Sequence, residues 1–377
     1  MQIPSLVYAN EKGEIFDHPE LKMSMRSAEY DFMPYETELI TLPDCSRLYF
    51  MPHTKAVGFD MAKGGFSALD KTHAVSVFLP PAYLRLFLPS YERISDEIMP
   101  LYAYTAVGWL NDRFVVPAIK VDDDSQWNPN LYDYSDKFKE RVELYLKKYP
   151  KNRLYQQLAH CALVYHCTAA KNVFYPRWEC PMPTSPACNS RCVGCISLQE
   201  SECCPSPQTR MSFMPTPEEI AEVACNHAAH AEKPIISFGQ GCEGDPVMMA
   251  DTIAEAVKLI RKDFPKLTIN FNSNCSIPDK VAKVLDAGVD SIRVSLNSTV
   301  ESTYNAYYRP NNYKFADVEK SIQAANELDV YVALNLLTMP GVNDRKSECD
   351  ALIDFMGRHR IELIQTRNLN IDAEMLY

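Results

Sequence analysis

The chain has 377 residues, 46% of them hydrophobic and 23% charged, a composition that can bury a sizeable core without disulfide staples. That length exceeds one average domain and suggests about two or three. A formal net charge of −11 argues against a broad nucleic-acid surface, because phosphate binding needs clustered Lys and Arg.

Met1-Gln2-Ile3-Pro4-Ser5 lacks the basic region and apolar core of an export signal. The most apolar stretch, Ala74 to Leu88, is interrupted by Pro80-Pro81 and Arg85 and cannot span a bilayer. The chain is therefore read as soluble and cytoplasmic, with no membrane partner.

Residues 1–125 form the first predicted unit, a small antiparallel β domain. Leu6–Ala9 and Glu14–Phe16 flank a Lys12-Gly13 turn, and Glu38–Leu42, Arg47–Met51 and Ala56–Phe59 are short β-type runs. Leu101–Trp109 and Arg113–Val121 flank Asn111-Asp112, a hairpin signal. Asp122-Asp123-Asp124 is read as a solvated loop.

Residues 126–171 read as a helical linker. Phe138, Val142, Leu144 and Tyr145 recur at helical spacing, Pro150 stops that helix, and Leu154–Ala169 reads as a second one.

From 172 to 377 short β-rich runs alternate with helical stretches. The predicted strands are Val173–Trp178, Ile235–Gly239, Leu267–Asn272, Ser291–Leu296, Tyr331–Leu337 and Glu362–Gln365. The predicted helices include one opened by Thr216-Pro217-Glu218-Glu219, with an N-cap, a Pro and a capping-box Glu. Others span Val247–Asp263, Pro278–Ala287, Phe315–Leu328 and Asp344–Arg358. The fold class is α/β, either an open (β/α)6 barrel or a doubly wound sheet, and in both a ligand collects at the C-terminal strand ends.

Thirteen cysteines in a chain of this size, without an export signal, read as thiols or metal ligands. Cys188, Cys192 and Cys195 stand in a C-x3-C-x2-C loop after the first predicted strand. Thiolates so spaced can wrap zinc, copper(I) or an iron–sulfur cluster. Three ligands leave one iron of a cubane open for a small molecule. The competing reading is zinc with a fourth ligand from Cys180, Cys203 or Cys204, in a protein without catalysis. Cys45, Cys161, Cys167, Cys225 and Cys349 read as buried small hydrophobes.

The cysteine spacing and its place resemble the radical S-adenosylmethionine superfamily over residues 172–377. The resemblance implies a partial (β/α)6 barrel, a [4Fe–4S] cluster on Cys188, Cys192 and Cys195, and S-adenosylmethionine bound to the open iron. Gly239 to Pro246 resembles the family's glycine-rich element for the cofactor's amino group, with Gly241 and Gly244 allowing close approach and either Glu243 or Asp245 supplying the carboxylate. Asn274 lies in a turn similar to the family's third-strand turn. Arg293, Ser295 and Asn297 share one face by alternation, with Ser295 and Asn297 expected on the cofactor. Arg309 follows in a segment similar to one that brings an Arg near the cofactor carboxylate, and Leu337–Asp344 resembles the loop that supports adenine. Gln365 to Asn370 supplies polar residues at the barrel mouth, for substrate or for capping.

The implied function is reductive cleavage of S-adenosylmethionine to a 5′-deoxyadenosyl radical that modifies an unidentified substrate. A low-potential donor such as flavodoxin or ferredoxin supplies the electron. A peptide or protein recognised by the β domain is the first expectation for the substrate, and a small metabolite or RNA the second. One cluster is expected.

Overall fold

The computed structural model describes residues 2–34, 39–132, 135–197 and 204–376. The expectations on Glu38 and Cys203 fall outside the described residues.

Six parallel strands, Arg177–Met182, Glu232–Phe238, Thr268–Ser273, Ser291–Leu296, Tyr331–Thr338 and Leu363–Asn368, pair strictly in chain order. Helical crossovers Pro217–His230, Ala250–Asp263, Pro278–Asp286, Phe315–Glu327 and Lys346–Arg358 join them, with a short extra helix Glu301–Tyr308. A doubly wound sheet reverses its strand order at a switch point, and this one does not. The sheet curls into a half-barrel, so that Arg293 on the fourth strand reaches both Glu179 on the first (3.3 Å) and Gln365 on the sixth (2.5 Å).

Alternation assigns the two faces. Ile236, Phe238, Ile269, Phe271, Ile292, Val294, Leu296, Val332 and Leu334 are fully buried against the helices. Each such side chain contributes about 1.5–3 kcal/mol by leaving water. The residues between them, among them Ser237, Asn270, Asn272, Ser291, Arg293, Ser295, Asn335 and Gln365, line the concave face, and it is polar. The capping box at Thr216 and Glu219 forms as expected, with reciprocal bonds of 3.2 and 2.9 Å.

Two predicted elements shift. Val173 and Phe174 end a helix, Thr168–Phe174, and the first strand starts at Arg177. A short apolar run fits a buried helix as well as a strand, and these two side chains are buried between helices. The predicted helix Leu154–Ala169 is two helices, broken after Leu163 by a loop in which His166 takes a left-handed φ of 54°.

Upstream, the chain folds into an eleven-stranded and a three-stranded sheet, antiparallel throughout. Asn111 and Asp112 turn the predicted hairpin with φ of 51° and 58°, the type I′ geometry that matches strand twist. The strand expected over Leu101–Trp109 is regular only from Gly108 to Leu110. The expected aspartate loop caps and pairs locally, with Asp124 accepting from the Gln126 amide and Asp123 from Lys120.

The two edges of the half-barrel are covered differently. On the first strand lie the helices Asp136–Lys148, Arg153–Leu163 and Thr168–Phe174, burying Phe138, Val142, Leu154, Tyr155 and Phe174. Beyond the sixth strand lies the N-terminal β region, where Leu88, Tyr91, Met99 and Tyr104 join the barrel's apolar core and buried polar contacts add to the seam. Arg85, nearly fully buried, donates to Asn370 Oδ1 (3.0 Å) and the Leu369 carbonyl (2.6 Å), while its amide donates to Asn368 Oδ1 (2.9 Å). Arg93 donates to both oxygens of the buried Asp372 at 2.7 Å, which also accepts from the Met99 amide at 2.9 Å. Gly341 packs so tightly on the Ala28 backbone that a Cβ there would overlap it. No helix among the described residues is long and apolar enough to cross a membrane.

Candidate metal centre

The cysteine loop sits at the C-terminal ends of the strands and is stitched down from three sides. The Arg191 and Val193 amides donate to the Tyr308 and Tyr307 carbonyls at 3.0 Å each, and the Asn311 amide donates to the Asn189 carbonyl at 2.9 Å. Asn274, at the end of the third strand, donates to Asn189 Oδ1 (2.9 Å) and Ser190 Oγ (3.0 Å). The Gly244 and Asp245 amides donate to the Ser185 and Ala187 carbonyls at 2.6 and 2.9 Å. Gly194 and Gly244 are required by this packing, since a Cβ would overlap Ile371 at the first and the Ala187 carbonyl at the second.

Glu243 and Asp245 are braces of that loop. Glu243 is buried, and its oxygens accept from the amides of Thr184, Ser185 and Gln240 at 2.7 Å each and from the Thr184 hydroxyl at 3.2 Å. Burial pushes its pKa up to about 8, against the opposing pull of those three amides. Asp245 accepts from Ser273 Oγ (2.6 Å) and from the Val247 and Asn274 amides (3.0 and 2.8 Å). Both carboxylates thus satisfy this chain's own donors. Gly241 offers a backbone carbonyl, already approached by Gln208 Nε2 at 2.8 Å.

The thiols fit a cationic centre better than water. Burial, reinforced by the nearby Asp245 charge, pushes Cys188 up to about 12. Burial and the flanking Cys188 and Cys195 push Cys192 well above the ordinary thiol range. Thiolates crowded in this way are stabilised by a metal's positive charge, which inverts the local preference. Cys188, Cys192 and Cys195 are therefore the donors that fit an iron–sulfur cluster, with Gly194 letting the loop close on Ile371. Of the alternative fourth ligands, Cys180 is buried on the helix-facing side of the first strand, and Cys204 is buried beside Tyr104. Among the described residues, no three His, Cys, Asp or Glu side chains converge as a single-ion site.

The other expected residues cluster around the same mouth. Ser295 lies half-buried on the concave face, in register with Asn335. Asn297 is buried with its Oδ1 lacking a partner among the described residues, while its amide group donates to the Thr303 carbonyl at 3.3 Å. Arg309 caps the Glu301–Tyr308 helix in a left-handed conformation (φ 46°), exposed, next to the segment that pairs with the cysteine loop.

Several residues here carried no usable sequence signal. Arg210 Nη2 approaches Cys195 Sγ at 3.7 Å, and its Nε donates to Ser197 Oγ at 3.2 Å. A tyrosine chain, Tyr304–Tyr313–Ser190, backs the loop with hydroxyl contacts of 3.0 and 2.8 Å. The Tyr308 hydroxyl beside Cys192 is buried without a partner among the described residues. Cys45 and Cys349, expected to be buried, are exposed, the first in a turn at φ 67° and the second on the outer side of the last helix.

Residues 182–355 match a family model described as the Radical SAM superfamily. Over 177 residues the chain is 26% identical to the FeMo cofactor biosynthesis protein NifB of Klebsiella pneumoniae, covering 43% of this chain and 37% of that protein. Similar solved structures include anSMEcpe with bound AdoMet, at 13% identity and TM-score 0.41 over 51% of this chain and 52% of that one. Methylornithine synthase (PylB) is similar at 16% identity and TM-score 0.39, over 63% and 65% of the two chains. The chain spans less than two thirds of the length of each of these relatives.

Proposed function

We propose that this chain, whose residues 182–355 match the Radical SAM superfamily model, binds a [4Fe–4S] cluster on Cys188, Cys192 and Cys195 and reductively cleaves S-adenosylmethionine. The observation that carries the reading is the cysteine loop itself. It is pinned to the strand ends through Asn274 and to residues 307–311, so that three thiol-bearing residues stand over a polar half-barrel. When bound, the cluster and cofactor supply an electron and a 5′-deoxyadenosyl radical that takes a hydrogen atom from the substrate.

The chain's own residues bind, orient and exclude water. Glu243, Asp245 and Asn274 hold the loop in shape, and the backbone around Gly241 and Gly244 receives the cofactor's amino group. Ser295 and Asn297 face the ribose, the orphan Asn297 Oδ1 being a ready acceptor for a hydroxyl. Arg309 approaches the cofactor carboxylate. The apolar shell outside the barrel keeps the chamber rigid and the chemistry away from bulk water. The reductant is a low-potential donor of the flavodoxin or ferredoxin kind.

The substrate we propose is a polypeptide. Support comes from the hairpin Met25–Ser27 and Tyr30–Phe32, whose Ala28 turn packs on the Gly341 loop beside the mouth and which leaves Tyr30 69% exposed. Replacing Tyr30 and Phe32 together by Ala is expected to uncouple cofactor cleavage from polypeptide modification, and intact coupling would remove that part of the reading. The test of the activity is 5′-deoxyadenosine production by the reduced, reconstituted full chain. Cys192→Ala is expected to lose both the cluster absorbance and all product, and retained product would contradict the ligand assignment.

A further inference from the structure

The polar residues of the sixth strand and its exit, Gln365 to Asn370, divide by partner. Gln365 accepts from Arg293 at 2.5 Å. Asn368 accepts from the Arg85 amide and donates to the Tyr83 carbonyl, and Asn370 accepts from the Arg85 guanidinium. These are structural bonds that cap the strand against the β region. Arg367 is different. It lies two residues beyond Gln365, so alternation places it on the same concave face, one pleat nearer the mouth, level with Leu337. Its backbone is fixed, the carbonyl accepting from Thr338 Oγ1 at 3.0 Å. Its guanidinium has no hydrogen bond or ion pair among the described residues, and the residue is exposed.

The charges around it do not balance. Arg293, reaching across the chamber, is bound by Asn272 Oδ1 (2.5 Å), Gln365 Oε1 (2.5 Å) and Glu179 Oε1 (3.3 Å). Among the described residues, Glu179 is the carboxylate that acts on Arg367, and it is already paired with Arg293 at 3.3 Å. Burial and the Arg293 charge both push the Arg367 pKa down, yet a guanidinium does not deprotonate in a protein. Among the described residues, two guanidiniums and one carboxylate therefore meet on a concave, partly exposed face, inside a chain of net charge −11. Such a cleft concentrates anions, and the planar fork of Arg suits a carboxylate or phosphate.

We infer that the half-barrel holds an acidic group of the substrate, a carboxylate or a phosphate, on the Arg367 guanidinium. This rests on the proposal that the barrel mouth is the substrate chamber, and it adds the chemical class of the group bound there. Arg293 is the positioning residue, fixed by its three partners so that its charge biases the chamber without closing on the ligand.

Inorganic phosphate and acetate serve as probes on the cluster-loaded full chain, with thermal unfolding followed against chloride at equal ionic strength. At least one anion is expected to raise the midpoint saturably. Phosphate alone points to a phosphorylated group, acetate alone to a carboxylate, and both to a site open to either. Arg367→Gln is expected to weaken the apparent affinity by about tenfold or more, Arg367→Lys to retain part of it, and the surface control Arg113→Gln to bind as the unaltered chain does. No anion-specific shift, or the same shift in Arg367→Gln, would overturn the inference. A rise in the KM for S-adenosylmethionine in Arg367→Gln with unchanged anion binding would place the guanidinium on the cofactor and also overturn it. Failure of the unaltered chain to make 5′-deoxyadenosine, with phosphate or acetate still bound, would instead count against the proposed activity.

Discussion

The two edges of the half-barrel share an apolar core but differ in the buried charge at the seam. The first strand is covered by helices that interdigitate Phe138, Tyr155 and Phe174, whereas the region beyond the sixth is joined to the β region through Arg85, Arg93 and Asp372. An apolar seam is non-directional and tolerates repacking. A seam of buried charged groups demands particular partners and is costly to break. The buried Arg85 and Arg93–Asp372 contacts fix the β region against the exit of the sixth strand.

The largest effect is expected from Asp372→Ala. It leaves Arg93 and the Met99 amide without their acceptor, and a loss of about 4 kcal/mol is expected in denaturant unfolding. A loss below about 1 kcal/mol would show that the polar seam is incidental. On the other edge Phe174→Ala is expected to cost about 3 kcal/mol through a cavity, with Phe174→Leu recovering most of it. The seams lie on opposite edges and share no side chain, so the double variant should be additive to within about 0.5 kcal/mol. Strong coupling would mean that the two edges form one cooperative unit.

The smallest effect concerns pH. Arg153, donating to Glu219 at 2.8 and 2.6 Å, holds that carboxyl down to about 2. A depressed folded pKa stabilises above the unfolded value, so this contribution is present at neutral pH and fades as pH falls from the ordinary carboxylate range towards 2. Glu219→Gln should cost about 1 kcal/mol at pH 7, with the difference from the unaltered chain shrinking in acid. An unchanged difference at low pH would deny the ion pair its role.

Much of the barrel was legible because its determinants are local. Alternation and β-branched runs marked five of the six strands, and the capping box at Thr216 and the Asn111-Asp112 turn formed as read. Val173 and Phe174 misled because a buried apolar run has no period of its own. In the site, the cysteine spacing and the glycine-rich turn stand in the sequence. The engagement of Glu243 by Thr184 and Ser185, the return of Arg210 to Cys195, and the isolation of Arg367 depend on contacts between distant segments. No pattern within a window of residues could report them.

Iron and sulfide content after oxygen-free reconstitution of the full chain decides whether Cys188, Cys192 and Cys195 hold a cluster. About four of each per chain are expected, with the charge-transfer colour of a cubane cluster, and both should be lost on replacing Cys188, Cys192 or Cys195 by Ala. A colourless, iron-free protein would show that the three cysteines hold no cluster.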